Sequence, residues 1–275
     1  MRRALNDGGS VRSSGTGPVG ILQAADGLYG RAVNRALRLR PFRPAIISTA
    51  TPIVSFTFDD VPDTALSAGA TILERHRVRG TFYIAGGLAG RIEPRRRLID
   101  LDGCRELAER GHEIGCHTFA HRPVRRLLGQ TLPADLDRNA DYLEAIDGGR
   151  GVRNFAFPYN AGSLTALGEL SRRYRACRAG GDGINRGTVD LCFLKGMEIR
   201  QPEESAAALT GRIDEVVREP GWLIFFTHDV TASPTDHGCR PETLDRLVAY
   251  SLSEGCAVLT VDAALDRLGL AGGVS

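Results

Sequence analysis

From Ile53 onward the hydrophobic residues of the chain switch repeatedly between two periods. In "IVSFTFDD", Val54, Phe56 and Phe58 alternate with Ser55, Thr57 and Asp59, the pattern of a strand with one apolar face. In "TALSAGATILERH", Leu66, Ala70 and Leu73 recur at helical spacing. The exchange then repeats. "GTFYIA" reads as a strand, "GCRELAERG" as a helix, "HEIGCH" as a short strand, and "DLDRNADYLEAID" as a helix through Leu136, Ala140 and Leu143. "VRNFAFPY" (strand), "SLTALGELSRRY" (helix) and "RACRAG" (strand) follow. A helix around "ESAAALTGRIDEVVRE" precedes the most apolar strand, "GWLIFFTHD", and the helix "PETLDRLVAYSLSEG" and strand "CAVLTV" close the series.

Repeated strand–helix units predict a mostly parallel sheet covered by helices. There are enough units to close a barrel. An open doubly wound sheet is the competing arrangement, but no strand is followed by a GxGxxG turn. In barrels of this kind the chemistry gathers at the carboxyl ends of the strands. The domain is expected over residues 51–270, behind an extension over 1–50 that is Gly/Ser-rich and disordered to about Pro18. Within that extension, "RAVNRALRLRPFRP" (Arg31 to Pro44) predicts a solvated helix lying against the domain.

Composition narrows the function classes. The 275 residues are 42% hydrophobic and 25% charged, an ordinary globular balance, and the net charge of +2 comes from scattered rather than clustered basic residues. Nucleic acid is therefore not expected as the main partner. No apolar run approaches a transmembrane segment, and the arginines at the N-terminus precede no apolar core of a signal peptide, so a cytoplasmic location is expected. Six cysteines, none in a CxxC pair, are read as reduced, buried thiols.

The strand ends hold a set of reactive side chains. The first gives adjacent carboxylates, Asp59 and Asp60; "HEIGCHTFAH" gives His117 and His121; "FAFPYN" gives Pro158, Tyr159 and Asn160; and "LIFFTHD" gives His228 and Asp229. Two imidazoles four residues apart plus one carboxylate suit a tetrahedral zinc with an open fourth position. A cation there would also relieve the repulsion between the paired aspartates. His76, His112 and His237 are read as structural or surface residues.

"TFDD", "HTFAH", "FPY" and "FFTHD", in this order on successive strand ends, resemble the polysaccharide deacetylase family, with "RGTFYIAG" and "LAERGHEIGCHTFAH" adding similarity between them. The resemblance runs from about Pro52 to Leu268. It implies a distorted (β/α) barrel of about seven parallel strands and a metal-dependent hydrolase that removes N-acetyl groups from an acetylated oligosaccharide or glycan precursor. It also implies that Asp60, His117 and His121 hold a divalent ion, usually Zn2+. Asp59 would be the general base, His228 the general acid, and the backbone N–H of Tyr159 an oxyanion donor. Amide hydrolysis requires those parts: an ionised water, a base, a separate acid for a poor leaving amine, and donors for the oxyanion. The alternatives are a small-molecule amidohydrolase on the same fold and a non-catalytic glycan-binding barrel. A cytoplasmic enzyme would meet soluble or lipid-linked precursors.

Three positions depart from the family pattern. Val61 replaces the glycine after the aspartate pair, so the turn is expected to form without a left-handed residue there. Ala156 stands where relatives carry an arginine that orients the base, and Arg178 on the next strand is the expected substitute. The aspartate that tunes the acid histidine has no clear match; Asp182 is the candidate, and Asp229 is read either as a loop residue or as a group supporting the site.

Overall fold

A closed ring of seven parallel strands organises the computed structural model, which describes residues 30–149, 151–200 and 206–270. The chain enters through a helix over 30–39 (α1) and a short strand, β1 (Pro44–Ile47). The barrel then begins with β2 (Ile53–Asp59), β3 (Thr81–Ile84), β4 (Glu113–Cys116), β5 (Asn154–Ala156) and β6 (Ala176–Gly180). β7 (Gly187–Asp190) leaves the ring to pair antiparallel with β1. β8 (Leu194–Glu198) and β9 (Trp222–Thr227) complete it, and β9 pairs in parallel with β2 from Ile53 to Phe58. β10 (Ala257–Val258) attaches only to Ile53 and Val54.

Helices cover the outside. A π-helical segment (Ala65–Ala70) runs into α2 (Thr71–Arg75), followed by α3 (Leu101–Glu109), α4 (Thr131–Asp147) and α5 (Leu167–Arg173). α6 (Ala206–Arg218), α7 (Pro241–Ser253) and α8 (Val261–Arg267) complete the set. No helix among the described residues is long and apolar enough to cross a membrane. All six cysteines are buried thiols without a disulfide.

The strand count agrees with the sequence pattern, but the membership differs. The seventh barrel strand is β8, whose "LKGME" has no hydrophobic alternation to announce it; "CAVLTV" contributes only the attached β10. The β1–β7 ribbon and α8 also went unpredicted. The expected helix against the domain is present: Leu37 of α1 is fully buried and Arg38 donates to the Gly180 carbonyl. The expected disorder to Pro18 lies outside the described residues.

Both faces of β2 are buried, so its polar residues face the barrel interior rather than solvent. Ser55 accepts from the Trp222 indole at 2.9 Å, and Thr57 donates to the Phe225 carbonyl at 2.9 Å. The alternate residues Phe56 and Phe58 point outward, where Phe58 stacks on Phe82 at 4.5 Å. Interior filling works by matching large to small. A Cβ on Gly115 would come within 2.4 Å of the Tyr83 ring, and one on Gly196 within 2.4 Å of Arg178 Cδ. At the amino ends of the strands, half-buried Glu113 accepts from Thr81 (2.8 Å), Asn154 (2.7 Å) and the Asp262 amide of α8 (2.9 Å), closing the barrel floor.

His112 is structural, as the sequence suggested. Its Nδ1 accepts from the Gly80 amide at 3.1 Å, which leaves Nε2–H to face Glu74 at 3.2 Å. Burial, opposed by Glu74, pushes its pKa down from 6.5 to about 4. As pH falls below 6.5 the unfolded chain binds this proton first, so stability present above 6.5 is lost towards pH 4. The slope reaches about 1.4 kcal/mol per pH unit for one such histidine. Urea unfolding between pH 7 and 4.5 is expected to show this loss, with a shallower slope in His112→Asn. Equal slopes in the two proteins would contradict the assignment.

Candidate active site

β2 delivers Asp59 to the barrel mouth with its side chain inward, and the chain then turns sharply. Asp60 and Val61 take φ values of 57° and 52°. The expectation for Val61 is therefore corrected. The turn does use a left-handed residue, and a β-branched one, a conformation costing on the order of 1–3 kcal/mol. Full burial of its side chain helps to hold it there. Thr118, His121, Tyr159 and Asn160 are likewise at positive φ, so non-glycine strain gathers around the mouth.

Asp59 is paired, inside the barrel, with Arg178 of β6. A second guanidinium nitrogen of Arg178 donates to Asn160 Oδ1 at 3.0 Å, and the group lies 4.5 Å over Phe226 and 5.4 Å from Tyr83. Ala156 is the direct cross-strand partner of Arg178, so an alanine and an arginine occupy neighbouring interior positions. The cation that reaches Asp59 thus comes from β6.

Asp60 is set differently. Its Oδ2 accepts from Arg96 at 2.8 Å, and Arg96 is braced by Glu93 at 2.7 Å. Its buried Oδ1 has no hydrogen-bond partner, although His121 Nε2 lies 2.8 Å away and His117 Nε2 3.6 Å away. His117 Nδ1 donates to the Ala156 carbonyl at 2.8 Å, which leaves its Nε2 lone pair directed at the same region. One carboxylate oxygen and two imidazole nitrogens thus converge without satisfying one another, and the three residues can hold a metal ion. An orphaned oxygen beside two borderline nitrogen donors fits a divalent ion such as Zn2+. Burial would raise the Asp60 pKa, but His121, His228 and His117 together hold it well below the usual carboxylate range. Burial lowers the His117 pKa to about 4, so the ring is neutral and able to ligate at pH 7.

His228 follows β9 directly. Its Nδ1 donates to the His237 carbonyl at 3.1 Å, and its Nε2 lies 4.0 Å from Asp60 Oδ2. Asp229 is buried and accepts from the Thr235 amide (2.7 Å) and hydroxyl, tying the 229–239 loop that carries that carbonyl. Asp182, by contrast, sits on an exposed bend outside the cavity; it does not contact His228. His237 is not a bystander: it lines the cavity, with Nδ1 2.7 Å from Glu198, and its pKa is raised by that carboxylate. His76, paired with Asp245 at 2.9 Å, is remote from the cavity.

A cavity of about 520 Å³ joins Asp59, Asp60, His117, His121, Tyr159 and His228. It also takes in Asn160 and three residues that the sequence did not single out: Arg96, Glu93 and Glu198. Arg96 and Glu93 sit in a loop whose run of arginines reads as solvated surface, and Glu198 ends the strand that the pattern concealed. A β8 recognised in sequence would have exposed Glu198 as one more strand-end carboxylate.

The polysaccharide deacetylase family model matches residues 47–173. A chitooligosaccharide deacetylase of Azorhizobium caulinodans is 31% identical over 120 residues, 43% of this chain and 53% of that protein, so the match spans about half of the relative. A chitin deacetylase of Colletotrichum lindemuthianum is 27% identical over 194 residues, 68% of this chain and 71% of its own length. Among solved structures, a candidate polysaccharide deacetylase from Mycobacterium smegmatis superposes with a TM-score of 0.61 at 15% identity, covering 84% of this chain and 94% of that one. A family 4 acetyl xylan esterase from Clostridium thermocellum, solved with a cobalt ion, gives 0.55 at 22% identity, covering 79% and 92%. These two structures share the barrel fold.

Removing Arg178 leaves Asp59 as a buried, uncompensated charge. Arg178→Ala is expected to lower stability by about 3–5 kcal/mol, measured by urea unfolding at pH 7. Arg178→Lys, which keeps the charge but not the forked geometry, is expected to recover part of that loss. Wild-type stability in the alanine variant would show that the pair contributes nothing.

Proposed function

We propose that the chain acts as a polysaccharide deacetylase, the family whose model matches residues 47–173, and that it hydrolyses the N-acetyl group of an acetylated sugar in an oligosaccharide or glycan precursor, using a divalent ion, most naturally Zn2+. The observation that carries this reading is a carboxylate and an imidazole, Asp59 and His228, facing one cavity around the Asp60–His117–His121 donor set. A divalent ion held there supplies Lewis acidity, which eases ionisation of water near neutral pH and polarises an acyl oxygen.

The protein's own groups divide the remaining work. Arg178 occupies one oxygen of Asp59, leaving the other to accept a proton from the attacking water. The His237 carbonyl holds the His228 ring by Nδ1, so Nε2 is the atom that gives a proton to the departing amine nitrogen. The C–N bond breaks as that proton arrives, and the products are acetate and the free amino sugar. The peptide N–H of Tyr159, in the strained turn at the cavity wall, is assigned to the developing oxyanion.

Chelator-stripped protein reloaded with Zn2+ is expected to release acetate from a panel of N-acetylglucosamine oligomers, whereas the stripped protein is not. Asp59→Asn and His228→Ala are each expected to lower kcat by roughly 10²–10⁴ while folding normally by circular dichroism. Absence of acetate with every oligomer and every divalent ion tried would overturn the reading.

A further inference from the structure

The family match begins at residue 47, yet α1 lies within reach of the site. Asn34 of this helix makes two bonds to the loop after β5. Its Nδ2 donates to the Asn160 carbonyl at 2.9 Å, and its Oδ1 accepts from the Gly162 amide at 3.0 Å. The side-chain amide thus pairs with main chain as a neighbouring strand would. These bonds fasten the carboxyl side of a strained turn: Asn160, which carries one of them, and Tyr159 before it have φ values of 52° and 57°.

Neighbouring residues are shaped to admit α1. A Cβ on Gly162 would stand 2.4 Å from Leu37 Cδ1 and 2.5 Å from the Phe193 ring, so only glycine permits this approach. Leu37 is fully buried, and Arg38 donates to the Gly180 carbonyl and lies 5.9 Å from the centroid of Phe193. A Cβ on Gly180 would in turn crowd the Asn160 side chain at 2.8 Å. That side chain is the one which accepts from Arg178, the partner of Asp59. One continuous path therefore runs from α1 through Asn160 and Arg178 to the carboxylate.

We infer that Asn34 is a positioning residue of the active site, and that the N-terminal helix clamps the Tyr159–Asn160 turn in the conformation the reaction uses. The kinetic part rests on the deacetylase reading; the clamp itself does not. A left-handed turn of two side-chain-bearing residues stores strain and persists only where its surroundings over-determine it. Two hydrogen bonds from Asn34 supply that determination, and their loss lets the turn relax without disturbing the barrel. A misplacement of about 1 Å at such a site costs on the order of 10²-fold in rate.

The test compares full-length wild type with Asn34→Ala and Asn34→Asp. The aspartate keeps the acceptor for Gly162 but sets an oxygen against the Asn160 carbonyl. Hydrogen exchange is expected to rise in segment 158–163 of both variants while β2 and β9 stay protected. With an oligomer that wild type deacetylates, kcat is expected to fall at least about 10-fold with KM little changed, since Asn34 does not line the cavity. Unchanged exchange in segment 158–163, or wild-type kcat in both variants, would overturn the inference. Failure of wild type to release acetate from any oligomer would count against the deacetylase reading alone, because the exchange measurement still decides whether the clamp exists.

Discussion

Burial of the Asp59–Arg178 pair inside the barrel mouth is the constraint on which much of the interior is arranged. Each ion loses several kcal/mol of hydration on entering such a place, and mutual attraction restores this only with good geometry and further partners. Both conditions are met. Arg178 spreads its donors over Asp59 and Asn160 and its faces over Phe226 and Tyr83. Space for so large a side chain comes from its neighbours: Ala156 beside it in register and Gly196 behind it. The unpatterned sequence of β8 is thus partly a consequence of the pair, because a bulky residue at 196 would evict the arginine.

Two adjacent aspartates at a strand end are tolerable because the backbone sends them apart and each has its own cation. The positive φ at Asp60 breaks the alternation that carries Asp59 inward. Asp59 then meets Arg178 from the barrel, and Asp60 meets Arg96 from the loop between β3 and α3. Arg96 also shares its charge with Glu93, so it orients Asp60 without cancelling it. The outer oxygen is held while the inner one is left facing His117 and His121. Repulsion, the apparent fault of the sequence, is resolved separately for each carboxylate.

The parts legible in sequence are those set by period and by strand position. β2 announces itself through Phe-rich alternation and β9 through an unbroken apolar run, and Asp59, His117 and His228 follow from reading the ends of their strands. Arg178 was reachable because Ala156 left a vacancy that only a nearby cation could fill. What stayed hidden depends on contacts between distant segments. Glu198 and His237 meet through a strand with no pattern and a loop shaped by Asp229. Val61 misled in another way: residue type predicts an ordinary turn, but burial of its side chain holds the left-handed one. Asp182 looked suitable by charge, yet it sits on an exposed bend outside the cavity.

The site residues fall into two mechanical classes. Asp59, His117, Glu198 and His228 continue the inward-facing rows of their strands, so barrel register places them. Asp60, His121, Tyr159 and Asn160 sit in left-handed turns beyond the strand ends, where register no longer acts. Props from elsewhere meet these turns. Arg96 reaches the Asp60 turn, and Asp135 of α4 accepts from the Phe119 and Ala120 amides (2.7 and 3.1 Å) just before His121. Asn34 performs the same service for the Tyr159–Asn160 turn, through the Asn160 carbonyl and the Gly162 amide. A rigid barrel alone would therefore fix the proposed base, the proposed acid and His117, but not Asp60, His121 or the proposed oxyanion donor. The loops and the N-terminal helix supply the missing constraints, which is why residues outside the recognisable strand ends belong to the site as much as those within them.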